Sequence, residues 1–185
     1  TSSDIELNMD TEKLIYIINY KNAGAELLVD SPKEVGADRI CNVVAAGKLV
    51  GTPSIVGDIG SATNYDVINK KGAFVGGAIA PGIEVAAENL IKRAALLQET
   101  AFIVPKKAVG KSTDTNLQSG IMLGAIDLID GMFQRILSEV KWKNCNVIVT
   151  GGFGKLISLH LITNHTLMPT LTSVSYTHLT LPTNR

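Results

Sequence analysis

Residues 54–82, SIVGDIGSATNYDVINKKGAFVGGAIAPG, decide the fold. Ser54 to Val56 is a short apolar run that ends in a Gly/Ser-rich turn. Asn64 to Asn69 alternates and is expected to be a second strand, Lys70-Lys71-Gly72 a hairpin turn, and Ala73 to Ile79 the returning strand. Pro81-Gly82 closes this sheet region and opens a helix expected over Ile83 to Leu97, with Ile83, Ala87, Leu90, Ile91, Ala94 and Leu97 on one side.

Outward from this stretch, the pattern stays mixed. Upstream, Leu14–Asn19 and Ala25–Val29 are short apolar runs suited to strands or to a strand and a helix edge. Ser31-Pro32 breaks the chain, and Val35 to Leu49 carries Ile40, Val43, Val44 and Ala46 on one helical face. Downstream, Gly110–Thr113 is expected as a loop, with Asp114 or Thr115 capping a long helix whose stripe is Leu117, Ile121, Ala125, Leu128, Met132, Ile136 and Val140. Asn146–Thr150 reads as a buried strand running into Gly151-Gly152, followed by a helix from Phe153 to Leu161. This order implies an α/β domain with antiparallel and parallel strand pairs.

Composition narrows the function classes. Hydrophobic residues are 45% and charged residues 18% of the 185, a globular mix. Seventeen basic residues balance seventeen acidic ones, so no strong field attracts nucleic acid or an anionic membrane. The apolar stretch 117–140 is interrupted by Asp127, Asp130 and Arg135, which makes it amphipathic rather than membrane-spanning. Residues 1–10 show no secretory pattern, Cys41 and Cys145 are expected as reduced core thiols, and the cytoplasm is the expected compartment. Threonine-rich residues 163–183 show no period, and residues 173–185 are expected to be a non-native tail.

Four segments could carry chemistry. In 56–63, VGDIGSAT, a strand delivers Asp58 at its end and hydroxyls follow beside exposed backbone N–H groups. That combination can hold a cation and orient phosphate oxygens, although a plain hairpin turn has the same residues. In 35–39, VGADR, Asp38 stands in the first turn of a helix, as a dipole partner or as a proton acceptor for a substrate hydroxyl. Arg39 beside it could grip a substrate carboxylate or amide oxygen. Residues 109–113, VGKST, end like a nucleotide-binding P-loop, but Pro105 occupies the place of its leading glycine, and that reading is rejected. Thr113 remains a candidate hydroxyl ligand. In 150–154, TGGFG, two glycines between strand and helix let backbone approach a flat ligand or phosphates. His160, His165 and His178 lack partners at metal spacing, and Trp142 is expected as a half-buried helix-end anchor.

Taken in order, PKEVGADRICNVVAA (32–46), DIGSAT (58–63), GGAIAPGIE (76–84), GKSTDTNLQSG (110–120) and VTGGFG (149–154) resemble the type III pantothenate kinases, within the acetate and sugar kinase, heat-shock ATPase and actin superfamily. The resemblance covers roughly residues 25–160. It implies an α/β, ribonuclease H-like fold of the actin/sugar-kinase type, a mixed sheet flanked by helices, with the first sub-domain incomplete. Residues 1–30 would be the remnant of that sub-domain, 31–172 the acceptor, cation-binding and dimerisation part, and 173–185 the tail. The family's Asp-x-Gly-Asn-Thr phosphate loop is expected upstream of Thr1.

The implied activity is ATP-dependent phosphorylation of pantothenate to 4'-phosphopantothenate, the first step to coenzyme A. By resemblance Asp38 is the base, and Gly36, Ala37, Asp38, Arg39 and Thr113 bind pantothenate. Asp58 holds a monovalent cation, potassium or ammonium, and Mg2+ accompanies ATP. Ser61, where threonine is usual, meets ATP, and Gly151 and Gly152 border the adenosine. The long helix resembles the family's dimer-forming element, which implies a homodimer. The alternatives are a non-catalytic accessory homologue or another kinase of the superfamily.

Overall fold

In the computed structural model, residues 20–172 are described, apart from 23, 95, 96, 98 and 99. The apolar run at 14–19, read as a strand or a helix edge, and the tail at 173–185 therefore lie outside the described residues. After a 3-10 turn at Pro32–Glu34, helix α1 spans Ala37–Leu49 and strand β1 spans Ser54–Ile59. The helix begins two residues later than the periodicity suggests because Gly36 is extended (φ −61°, ψ 146°) and serves as the N-cap.

Strand β2 (Ala62–Ile68) pairs antiparallel with β1 and with β3 (Phe74–Pro81), so the two hairpins expected from residues 54–82 are present. The β2–β3 turn is held by the Asn69 side chain, whose Oδ1 accepts from the backbone N–H of Lys71 at 2.8 Å and of Ala73 at 3.1 Å. Strand β4 (Asn146–Thr150) pairs parallel with β1, and β5 (Thr166–Leu167) pairs parallel with β4. The sheet order is β3-β2-β1-β4-β5. Among the described residues, the 25–29 run joins it only through a single bridge, Leu27 beside Phe74.

Side-chain alternation gives the sheet two buried faces. Val56, Ile68, Phe74 and Ile148 pack with Val43, Ala45 and Ala46 of α1. Ile55, Ile59, Tyr65, Val67, Val147 and Val149 pack on the other face against the long helical segment. The segment at 163–172, which shows no period, nevertheless joins the fold. It supplies β5 and places Leu171, 1% exposed, in the α1-side core.

Helix α2 (Ile83–Arg93) is shorter than expected, because Ala94 turns to an extended conformation. The next helical segment starts earlier than expected. Ser112, not Asp114 or Thr115, caps α3 (Thr113–Gln118): its Oγ accepts from Thr115 N–H, and Thr115 Oγ1 accepts from Ser112 N–H. A π-helical turn at Ser119–Leu123 then leads into α4 (Gly124–Val140). The wider turn holds extra residues and rotates the helix beyond it. The residues buried on the sheet are therefore Met122, Ile126, Ile129 and Phe133, each one place beyond the expected stripe of Ile121, Ala125, Leu128 and Met132. The last helix, α5 (Gly154–Ser158), is shorter than the 153–161 expected. Trp142 is half-buried against the α4-side core, as expected, and Cys41 and Cys145 remain thiols. None of the described helices is long and apolar enough to cross a membrane.

Gly57 lies within β1 rather than at a turn, and its missing side chain is what lets Phe133 reach the sheet. A Cβ there would overlap the Phe133 ring, which itself packs edge-on to Tyr65 with centroids 5.5 Å apart. Gly57→Ala is expected to destabilise the fold by about 1–3 kcal/mol through overpacking. Urea denaturation checks this, and an unchanged midpoint would contradict the packing argument.

Candidate active site

The site follows from a match of lengths. Helix α1 has 13 residues and β1 has 6, so each is about 20 Å long. The chain reverses between them, and the N-terminus of α1 returns to the level of the C-terminal end of β1. That brings the first turns of α1, with Asp38, Arg39 and Asn42, over Asp58. Asp58, Asp66 and Thr150 share the α1 face by strand parity with Val56, Ile68 and Ile148.

Hydrogen bonds fix two of these groups. Asn42, 1% exposed, donates from Nδ2 to Asp58 Oδ2 at 2.8 Å, and its Oδ1 accepts from Thr172 Oγ1 at 2.8 Å. Arg39 Nε donates to Asp66 Oδ1 at 2.6 Å, and the guanidinium lies 5.2 Å from the centroid of the Phe74 ring. Asp38 is exposed at the helix start, with its carboxylate folded back towards Gly36. A side chain at Gly36 would overlap it.

The electrostatics follow from burial and crowding. Burial raises the Asp58 carboxyl above its ordinary value, the Asn42 hydrogen bond lowers it, and the negative charge of Asp38 raises it again. Asp66 is pushed up to about 6, first by burial; Arg39 pulls it down, while Asp58 and Asp38 push it further up. Three carboxylates and one guanidinium thus share one field on the α1 face.

Gly151 follows β4 with φ +92°, a left-handed conformation that glycine adopts without strain. It also sits against Asp58: a Cβ there would come within 2.5 Å of Asp58 Oδ1 and of the Ile59 backbone nitrogen. Phe153 N–H donates to the Ile59 carbonyl at 3.0 Å, which ties the Gly151-Gly152 turn to the end of β1. Thr150 pairs in register with Asp58, is 1% exposed, and its Oγ1 is buried without a hydrogen-bond partner. Asp58 and this orphaned hydroxyl therefore stand on neighbouring strands of the same sheet face. Ser61 is exposed in the β1–β2 turn, and its carbonyl accepts from Gly82 N–H at 3.2 Å.

Thr113 stands apart from these groups. It lines a cavity of about 650 Å³ on the α4 side, walled mainly by apolar residues of α2 and of the α3–α4 segment, including Ile83, Leu90, Leu117 and Leu128. Neither Gly36–Arg39 nor Asp58 lines that cavity. Among the described residues, no three His, Cys, Asp or Glu side chains gather closely enough to hold a metal.

The motif reading missed Asn42 and Asp66. A faint signal existed for both. Asp66 shares strand parity with Ile68, so a charge occupies a core-facing position. Asn42 interrupts the apolar run from Ile40 to Val44. Asn42→Ala is expected to destabilise by about 1–3 kcal/mol, because it strands buried polar atoms. It should also raise the Asp58 titration, since the lost hydrogen bond is the one that lowers it. Carboxyl NMR titration measures this, and an unmoved Asp58 would refute the contact's role.

Comparison with known proteins places the chain in a family. The family model described as type III pantothenate kinase matches residues 6–135, which include Gly36–Arg39, Asp58, Ser61 and Thr113 but stop before Gly151. Curated relatives named type III pantothenate kinase include one from Frankia alni, 45% identical over 134 residues, covering 72% of this chain and 53% of the relative. Another, from Thermomicrobium roseum, is 47% identical over 135 residues, covering 73% and 52%. A third, from Acidobacterium capsulatum, is 42% identical over 148 residues, covering 80% and 54%. The chain spans about half the length of these relatives. A solved structure from Campylobacter jejuni, described as a conserved Baf family transcriptional activator, aligns with a TM-score of 0.61 at 21% identity. It covers 88% of this chain and 70% of that one, a likeness of fold. The fold is the expected mixed α/β one, a mixed sheet flanked by helices, and the chain belongs to the type III pantothenate kinase family.

Proposed function

We propose that the full-length protein transfers the γ-phosphoryl group of ATP to the terminal hydroxyl of pantothenate. The observation that carries this reading is the meeting of Asp38, Arg39 and Asp58 where the start of α1 returns to the end of β1. Asp38 accepts the proton as the hydroxyl oxygen bonds to the γ-phosphorus and the bond to the β–γ bridging oxygen breaks, releasing ADP. Its exposure gives a substrate hydroxyl access. A base of moderate strength suffices, because the transition state is loose and positioning dominates.

Gly36 and Ala37 line the acceptor pocket and Arg39 binds the pantothenate carboxylate; the substrate contact expected of Thr113 is not supported by its place in the α4-side cavity, away from Gly36–Arg39. Asp58 is the monovalent-cation ligand, with Thr150 Oγ1 beside it as a candidate second donor. Ser61 faces ATP, and Gly151 and Gly152 border its adenosine side. A bound alkali or ammonium ion would supply positive charge near the phosphates, and Mg2+ travels with the nucleotide. A homodimer built on the α3–α4 segment fits the apolar residues this segment turns away from the sheet, such as Leu128, 47% exposed.

ATP-dependent phosphorylation of pantothenate by the full-length protein tests the reading directly, and its absence would refute it. Asp38→Asn should lower kcat by about a hundredfold or more while leaving KM for pantothenate nearly unchanged. Equal turnover in that variant would move the base elsewhere. Asp58→Asn should abolish or sharply weaken activation by potassium or ammonium, measured as rate against salt with sodium as the reference. Retained activation would assign the cation to other donors.

A further inference from the structure

Arg39 is held on three sides by groups that the reaction itself does not use. Its Nε is committed to Asp66 Oδ1 at 2.6 Å. The Phe74 ring lies 5.2 Å from the guanidinium. On the third side is Gly77, the register partner of Asp66 across β2 and β3. A Cβ on Gly77 would fall 3.1 Å from Arg39 Nη2 and overlap the Tyr65 carbonyl. Asp66 is fully buried, its Oδ2 has no hydrogen-bond partner, and the Arg39 side chain stays 16% exposed.

A salt bridge serving stability alone gains most from the two-pronged geometry, in which both carboxylate oxygens meet the guanidinium fork. Here a single bond at Nε is made instead, at the expense of a buried, half-satisfied carboxylate. That bond fixes the last torsions of the side chain, and among the described residues no hydrogen bond engages the terminal nitrogens. An unrestrained arginine carries rotamer entropy that it would otherwise lose when substrate binds.

We propose that Asp66 is a positioning residue for substrate recognition: it holds Arg39 by Nε over the Asp66–Gly77 pair, so that the terminal nitrogens are presented to the substrate carboxylate. This rests on the reading of Arg39 as the carboxylate-binding group. Asp66 does not touch the reacting atoms and acts through Arg39.

The test compares kcat and KM of the full-length enzyme for pantothenate and for its neutral analogue in which CH2OH replaces the carboxylate. In Asp66→Asn, KM for the acid is expected to rise about tenfold with kcat changed by less than about threefold. The alcohol analogue is expected to be affected little, so the preference for acid over alcohol collapses. In an Arg39→Gln background, adding Asp66→Asn should not change that preference further. Equal losses for acid and alcohol, or an unchanged preference in Asp66→Asn, would overturn the proposal. If Arg39→Gln alone left the preference intact, the reading of Arg39 would fall instead, and the proposal with it. Should Asp66→Asn fail to fold, Asp66→Glu, which keeps the charge and displaces the carboxylate from Nε, gives the same comparison. A selective loss for the acid supports the proposal, and an equal loss for both overturns it.

Discussion

The site depends on α1 and β1 being of equal length and opposite direction. Because the helix rises slowly along its axis and the strand rapidly, 13 helical residues are matched by 6 extended ones. The apolar face of α1, Val43, Ala45 and Ala46, locks this alignment by packing on Val56, Ile68 and Ile148. A shift of one helical turn would carry Asn42 and Arg39 away from Asp58 and Asp66 and leave buried carboxylates without donors. The packing and the polar network therefore select the same arrangement.

That polar network is costly in isolation. Asp66 is fully buried and Asp58 partly so, and both carboxyls are displaced upward first by burial and further by the carboxylates near them. Neutralising them with apolar residues would often be no worse for stability. Their presence is better accounted for by what they hold in place. Asp66 holds Arg39, and Asn42 holds Asp58 while Thr172 in turn holds Asn42. The end of the described chain thus closes over the site through one hydroxyl.

The opposite face of the sheet has a different character. It is mainly apolar, and the helical segment from the π-helical turn at Ser119–Leu123 through α4 carries two adjacent apolar surfaces. One surface, ending in Phe133, fills the space that Gly57 leaves open. The other, with Ile121, Ala125 and Leu128, walls the large cavity against α2.

The sequence by itself determined the hairpins of residues 54–82, the α1 helix, the strand at 146–150 and the motif residues Asp38, Arg39 and Asp58. These rest on local pattern: alternation, helical period and glycine placement act within a few residues. The family, too, was legible from the order of its short motifs. Only the tertiary structure decided which atoms meet. The bonds Asn42–Asp58, Arg39–Asp66 and Asn42–Thr172 join residues 16, 27 and 130 apart, and no local pattern encodes such pairs. The one-residue rotation of the α4 face was hidden for a related reason. A π-helical turn leaves the same apolar composition in place and changes only the angle at which it is presented. Strand β5 was hidden because two residues are too few to show a period, and its partner β4 supplies the hydrogen bonds that make it a strand.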